Sequence, residues 1–313
     1  MHQEREPAVV VDGLRKTYGE KVAVDEISLN VYEGEIFGIL GPNGAGKSTT
    51  VESIAGLRVG DRGRIRVHGI DPWTDRAALT EVLGVQLQEA KLQQKITVQE
   101  ALELWSAFYP DPEPWAPLAE RLGLGAHLRQ RFENLSGGQQ QRLSIALALI
   151  GRPRVVVLDE LTTGLDPRAR REVWDLVRDV RDRGVTVLLV THSMEEAQTL
   201  CDRIVIVDAG RIRALDTPAG LIDSASAATI TTFETSVAID LASLRDLDGV
   251  TAARSENGTV TVEGAEGVAL AVVELLRTQG VAPQRLRIAA GSLDAAYLDL
   301  TETDTDVRQE ALR

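Results

Sequence analysis

Apolar residues in this chain gather in short runs that alternate with stretches of helical period. Short apolar runs at 9–11, 27–31 and 36–40 lead into a glycine-rich loop. Later runs at 155–158 and 185–190 lack polar alternation, the pattern of strands buried on both faces of a parallel sheet. Between them, residues 168–183 place Val173, Leu176, Val177 and Val180 on one helical face. Asp166 and Pro167 supply that helix with an N-cap and a first-turn proline, and Gly184 with a stop. Strands alternating with helices predict an α/β fold.

Residues 97–150 carry helical patterns without a strand, broken by the turn-rich segment 110–117, and predict an inserted helical subdomain of about 89–152. From about residue 221 the composition shifts to Ala, Ser and Thr. Asn257-Gly258, between apolar segments 250–253 and 259–262, is a two-residue hairpin signal. A helix near 268–276 and a strand near 285–288 complete a small α+β unit. The expected division is 1–222 and 223–313.

The chain has 313 residues, 43% of them hydrophobic and 26% charged, as in an ordinary globular protein. No apolar run is long enough to span a bilayer, and residues 1–7 are polar rather than leader-like, so a cytoplasmic protein is expected. The formal charge of −13 argues against nucleic acid or anionic lipid as a general partner. The arginines of 168–183 are interleaved with acids, as on a solvated helix face. Cys201, the single cysteine, excludes an internal disulfide and a multi-cysteine metal site.

The sharpest chemical signal is the run Gly41, Pro42, Asn43, Gly44, Ala45, Gly46, Lys47, Ser48, followed by Thr49. It satisfies the phosphate-loop pattern, in which glycines let backbone N–H groups turn toward phosphate oxygens and a helix N-terminus adds its positive end. Lys47 is expected to reach the β- and γ-phosphates and Ser48 to ligate Mg²⁺. The loop follows an apolar strand, the context that this chemistry needs. A second signal is the run 155–158 ending in Asp159 and Glu160. Carboxylates at the carboxyl end of a parallel strand face the same crevice as a phosphate loop, so Asp159 is a candidate for Mg²⁺ and Glu160 for the general base. A third is Leu135, Ser136, Gly137, Gly138, Gln139. Ser136 and Gln139 fit a capping box that opens a helix, and the same helix start is a ready anion site.

On these three motifs, the chain resembles the ATP-binding subunits of ABC transporters. The resemblance spans roughly residues 9–215 and implies a P-loop NTPase ABC cassette: a RecA-like core with an antiparallel β subdomain and a helical subdomain, here followed by a small C-terminal α+β domain. It implies ATP and Mg²⁺ as ligands and ATP hydrolysis as the activity. Tyr18 then occupies the position of an aromatic that stacks on adenine. Gln88 matches a glutamine bridging Mg²⁺, the attacking water and the helical subdomain; Gln86, Gln93 and Gln94 are taken as solvated. His192 fits the histidine that holds the γ-phosphate and catalytic water, and the helix after it carries its own capping box from Ser193 to Glu196. Asp166 lies in the loop through which two subunits communicate, a role not separable from its capping of the next helix. His2, His68 and His127 receive no role. Leu161 departs from the family, which usually has proline after the catalytic glutamate; an adjusted turn rather than lost activity is expected.

The resemblance further implies an ATP-dependent, head-to-tail homodimer in which Ser136 and Gly138 of one copy meet the nucleotide on Lys47 of the other. It implies a separate transmembrane permease, seated on Gln88 and residues 89–97, and a location at the inner face of the cell membrane. Leu92, Ile96, Trp105 and Phe108 read as lining of that seat or as subdomain core. Residues 292–301 resemble the closing segment of daunorubicin-resistance-type exporter ATPases, which pair with ABC-2 permeases and export drugs or other hydrophobic compounds. The alternatives are a non-transport ABC ATPase and a nucleotide-dependent regulatory module.

Overall fold

The computed structural model describes residues 6–87, 92–224, 229–235, 239–256, 258–265, 267–289 and 292–297. By internal contacts the chain divides into two units, Met1–Thr217 and Pro218–Arg313.

In the first unit, the long strands β1 (Pro7–Tyr18) and β2 (Lys21–Tyr32) form a hairpin, and β3 (Ile36–Leu40) runs into α1 (Lys47–Ile54). Strand β4 (Arg62–Val67), helix α2 (Arg76–Val82) and strand β5 (Leu83–Gln86) precede the helices α3 (Val98–Ser106), α4 (Trp115–Arg121) and α5 (Gly137–Leu149). The chain then alternates through β6 (Val155–Asp159), α6 (Pro167–Asp182), β7 (Thr186–Thr191) and α7 (Met194–Leu200), and closes with the hairpin β8 (Arg203–Asp208) and β9 (Arg211–Asp216).

Two sheets result. A three-stranded antiparallel sheet has the order β2-β1-β4. A six-stranded sheet has the order β5-β6-β7-β3-β8-β9, in which β9 pairs antiparallel with β8 and the other pairs are parallel. Strands β3, β6 and β7 are buried along their whole length, because both faces of the parallel sheet are covered and no alternation of polar residues is tolerated there. One apolar core joins the two sheets through residues such as Leu14, Ile27, Phe37, Ile39, Val51, Ile54 and Val157.

The helical stretch contains α3 to α5 and two short 3₁₀ turns, with no strand among its described residues. Thr97 and Glu100 form a reciprocal capping box at the start of α3. Trp105 packs edge-on against Phe108 at 6.1 Å, yet Phe108 is 69% exposed, so that side chain is surface rather than subdomain core. Among the described residues no helix is long and apolar enough to cross a membrane.

The second unit contains α8 (Pro218–Ser224), β10 (Thr229–Glu234), α9 (Leu241–Arg245), β11 (Val250–Glu256), β12 (Thr259–Gly264), α10 (Val268–Thr278) and β13 (Gln284–Ala289). Its antiparallel sheet runs β11-β12-β10-β13. From β10 onward this is the β-α-β-β-α-β arrangement of a split βαβ unit. Phe233, Val260 and Val262 on one sheet face pack with Leu244, Val272 and Leu276 of the helices. The β11–β12 hairpin pairs Glu256 with Thr259, so two residues close it; Gly258 takes φ 82°, and Asn257 lies outside the described residues.

Candidate functional site

Strand order brings distant sequence together. Because β3 lies between β7 and β8, and β7 beside β6, the carboxyl ends of β3, β6 and β7 meet on one edge of the sheet. The chain segments that leave those ends line a cleft of about 570 Å³. Its walls include Asn43, Gly44, Gly46, Lys47, Ser48 and Thr49 of the loop, Asp159, Glu160 and Thr163 after β6, His192 after β7, and Tyr18, Lys21 and Ala23 from the first hairpin.

The loop is shaped by close backbone approach. A β-carbon on Gly46 would stand 2.4 Å from the Ala23 carbonyl oxygen, and one on Gly41 would stand 2.1 Å from that of Val207. Side chains at either position would therefore push the loop away from its support. Gly46 caps α1 without any side-chain hydrogen bond, and the first N–H groups of a helix lack intrahelical partners. That end of α1 faces the cleft. Ala45 is buried, whereas Pro42 and Ser48 are exposed.

Lys47 is 6% exposed, and its Nζ donates to the carbonyls of Gly41 at 2.7 Å and Pro42 at 3.0 Å. Burial pushes its pKa down, against the upward pull of the Glu160 and Asp159 carboxylates. Asp159 is 5% exposed, and its backbone N–H donates to Oε1 of Gln86 at 3.0 Å. Gln86, expected to be solvated, is instead 8% exposed and braces β6 from β5, with Nε2 donating to the Leu87 carbonyl. Its place on the edge strand β5, paired with β6, rather than in a loop, makes that difference. Gln88 lies outside the described residues.

Glu160 has φ 50° and its N–H donates to the Val190 carbonyl at 2.9 Å. A non-glycine residue in this left-handed region costs about 1–3 kcal/mol, which the surrounding structure must hold in place. His192 Nδ1 stands 3.1 Å from Glu160 Oε1. The next residue, Leu161, is 1% exposed and packs as core where a proline would only stiffen the turn. Beyond His192, Ser193 caps α7 by accepting from Glu196 N–H. The reciprocal half of the expected capping box is absent: the Glu196 carboxylate turns inward, accepting from Thr162 Oγ1 at 2.8 Å and Trp174 Nε1 at 3.1 Å. The Ser193 N–H is satisfied instead by Thr191 Oγ1 at 3.0 Å, which frees the carboxylate for buried donors that would be costly to leave unpaired.

Tyr18 sits at the cleft's mouth, 41% exposed. The Arg58 guanidinium lies 5.2 Å from its ring centre, and Lys16 Nζ lies 5.9 Å away. Arg58 is held by Glu52 of α1 through a 2.6 Å hydrogen bond. Asp61 anchors the strand just before Tyr18, accepting from Lys16 Nζ and from both N–H and Oγ1 of Thr17. These donors, Lys16 foremost, bring its pKa down to about 2. One rigid helix thus connects the phosphate loop at its start to the aromatic's support near its end.

Ser136, Gly137, Gly138, Gln139 and Asp166 do not line this cleft. Ser136 caps α5 in a complete capping box with Gln139, and Ser136 and Gly137 are exposed. The turn lies against the start of α6: β-carbons on Gly137 and Gly138 would meet Leu165 at 3.1 Å and Ala169 at 3.3 Å. Asp166 caps α6 through the N–H groups of Arg168 and Ala169, and these hold its carboxyl below the usual range, Ala169 foremost.

Lys21, Ala23, Thr163 and Arg58 escaped sequence reasoning. Lys21 and Thr163 stand within three residues of Tyr18 and Glu160 respectively, and that proximity was the available signal. Arg58 carried none.

The ABC transporter family model matches residues 24–163. The chain is 37% identical over 320 residues to the daunorubicin resistance ATP-binding protein DrrA3 of Streptomyces coeruleorubidus, covering 97% of this chain and 99% of that protein. It is 41% identical over 225 residues to the Nod factor export ATP-binding protein I of Paraburkholderia xenovorans, covering 70% of this chain and 74% of that protein. Among solved structures, a dimeric ATP-binding cassette in a post-hydrolysis state, bound to ADP and Pi, superposes with a TM-score of 0.61 at 29% identity, covering 67% of this chain and 98% of that one. Sequence, fold and cleft agree: this chain belongs to the ABC transporter family, as an ATP-binding subunit and an ATPase.

Proposed function

We propose that this subunit hydrolyses Mg·ATP between two head-to-tail copies of itself and thereby drives a separate ABC-2-type permease that exports drugs or other hydrophobic compounds. The cassette, residues 1–222, is the motor in this reading, and residues 223–313 are an accessory domain. The observation that carries the hydrolytic part is the cleft in which Lys47, Ser48, Asp159, Glu160 and His192 come together.

Each residue then has a chemical task. Tyr18 offers its open face to the adenine ring, a contact that other purines also satisfy. Backbone N–H groups of Asn43, Gly44, Gly46, Lys47, Ser48 and Thr49 surround the phosphates, while Pro42 has none to give and Ala45 N–H is donated within the loop to the Pro42 carbonyl. Lys47 exchanges its carbonyl partners for the β- and γ-phosphate oxygens. The Ser48 hydroxyl and Asp159 carboxylate, both on the cleft wall, are hard oxygen donors that suit Mg²⁺, with Gln88 as a further donor. Bound Mg²⁺ would neutralise charge on the β- and γ-phosphates. Glu160 takes a proton from the attacking water, and His192 beside it holds the γ-phosphate and that water.

In the pair, Ser136, Gly137, Gly138 and Gln139 of one copy close on the nucleotide of the other, and Asp166 lies in the loop joining the two sites. The contact is isologous, as two-fold symmetry requires. ATP favours the closed pair by its differential affinity, and hydrolysis removes that preference. The exposure of Ser136 and Gly137 supports this reading. Export by way of a membrane partner is supported by similarity to DrrA3 along nearly the whole chain, second unit included. The place of action is the inner face of the membrane.

The test is co-expression with a candidate permease of about six apolar spans. A stable complex whose phosphate release rises with hydrophobic drug-like compounds supports the reading. An isolated subunit that releases phosphate but pairs with no membrane protein, while acting on a soluble assembly, sinks the transport half.

A further inference from the structure

We propose that His127 is a positioning residue for the turn at Ser136–Gln139 that opens α5: it fixes the Gln139 amide, and through it the Ser136 backbone N–H on which that amide closes the turn. This rests on the reading above, in which Ser136 meets the nucleotide held by a second copy.

His127 ends the 3₁₀ turn Gly125–His127, ten residues before α5 begins, and is half-buried. Its ring stands between two amide side chains. Nδ1 lies 3.0 Å from Gln130 Oε1, and Nε2 lies 2.9 Å from Gln139 Nε2. Gln130 Nε2 donates in turn to the Asn134 carbonyl at 2.6 Å. At the other end, Gln139 Oε1 accepts from Ser136 N–H at 2.8 Å, while Ser136 Oγ accepts from Gln139 N–H at 3.3 Å.

Donors and acceptors along this chain match in one sense only. Gln130 gives its amide hydrogen to Asn134, so its oxygen faces His127 and Nδ1 carries the ring hydrogen. Nε2 is then an acceptor, and it takes a hydrogen from Gln139. Gln139 is left with its oxygen toward Ser136. Turning that amide over would set NH₂ against the Ser136 N–H and oxygen against the bare Nε2, losing two hydrogen bonds at once. The capping box already favours this sense, because the Ser136 N–H needs an acceptor; His127 adds the partner that holds the amide at its other end.

The consequence falls on Ser136. Its Oγ accepts from the Gln139 backbone N–H, and its own backbone N–H donates to the Gln139 amide oxygen, so the exposed residue that carries the hydroxyl is held at two points. A γ-phosphate oxygen is an acceptor for that hydroxyl. Three linked side chains therefore hold Ser136 in place before any partner arrives, which lowers the entropy lost on closure.

The experiment uses the full-length chain in a Glu160→Gln background, with ATP-driven pairing measured by sedimentation. His127→Leu removes the acceptor; His127→Gln restores one at a similar reach. The expectation is a pair weakened about five- to tenfold by His127→Leu, the scale of one lost hydrogen bond, with recovery of most of that loss in His127→Gln. In the otherwise wild-type chain, kcat falls by a like factor while KM for ATP is unchanged, since nucleotide binding by one copy does not involve this turn. If His127→Leu melts well below its parent, His127→Asn takes its place: its amide serves Gln130 but is too short for Gln139. Ser136→Arg serves as the control. Loss of pairing in Ser136→Arg with normal pairing in His127→Leu overturns the role of His127 and leaves the wider reading standing. Normal pairing in Ser136→Arg overturns both.

Discussion

Nδ1 of His192 lies 3.1 Å from Oε1 of Glu160, linking the residues that follow β7 and β6 at the wall of the nucleotide cleft. The carboxylate accepts, so the ring nitrogen facing it carries hydrogen. Glu160→Gln keeps an acceptor for that nitrogen and removes only the proposed base. Turnover should drop about 10²- to 10⁴-fold, the usual contribution of a general base. ATP binding should persist, and an ATP-bound pair should accumulate on a sizing column. A variant that hydrolyses normally and stays monomeric with ATP would contradict the assignment.

Lys47 sits in a balance of opposing effects, with burial lowering its pKa and the Glu160 and Asp159 carboxylates raising it. Its folded value lies below the ordinary 10.5. The unfolded chain therefore holds this proton more tightly, and the lysine opposes folding until pH rises through the folded value toward 10.5. ATP affinity, which needs the cation, should weaken at a pH below that of an ordinary lysine. Glu160→Gln removes a carboxylate that raises the pKa and should move this loss to still lower pH. Calorimetric ATP titrations between about pH 8 and 10.5 would measure it. Equal midpoints in the two proteins would contradict the balance described. Lys47→Ala should abolish nucleotide binding at every pH.

The Tyr18 ring is backed by Arg58, itself tied to Glu52 of α1. An exposed cation–π contact contributes about 0.5–1 kcal/mol. Arg58→Ala should therefore raise KM for ATP about two- to fivefold at unchanged kcat. ATP and GTP should be affected alike, because a stacking platform reads no base edges. A change in kcat instead of KM would place Arg58 elsewhere in the cycle.

Glu196 is 1% exposed and accepts from both Thr162 and Trp174. Glu196→Ala strands two buried donors and should cost about 1–3 kcal/mol for each left unsatisfied. The melting temperature should fall by several degrees. Glu196→Gln, which retains the accepting oxygen, should recover most of the loss. Identical melting of all three proteins would show that the network carries no stability.

Much of the architecture was legible from the chain alone. Strands β3, β6 and β7 announced themselves because a fully buried parallel strand admits no polar alternation. The phosphate loop and the Asp159–Glu160 pair were legible because close backbone approach and carboxylates at a strand end each demand particular residue types at fixed local spacing. The α6 cap at Asp166 and the capping box of Ser136 and Gln139 were likewise local, each closing within three residues.

What the sequence could not determine is everything that depends on which strand lies beside which. The order β5-β6-β7-β3-β8-β9 sets His192 next to Glu160 and buries Gln86 against Asp159. The inward turn of Glu196 overrode an apparent capping box, because tertiary structure supplied two buried donors that no local pattern announces. His127 carried no signal at all, since its meaning lies in two amides brought to its ring by the folding of separate turns. Hydrogen bonding between distant side chains has no period and no spacing rule, and so only the assembled structure decides it.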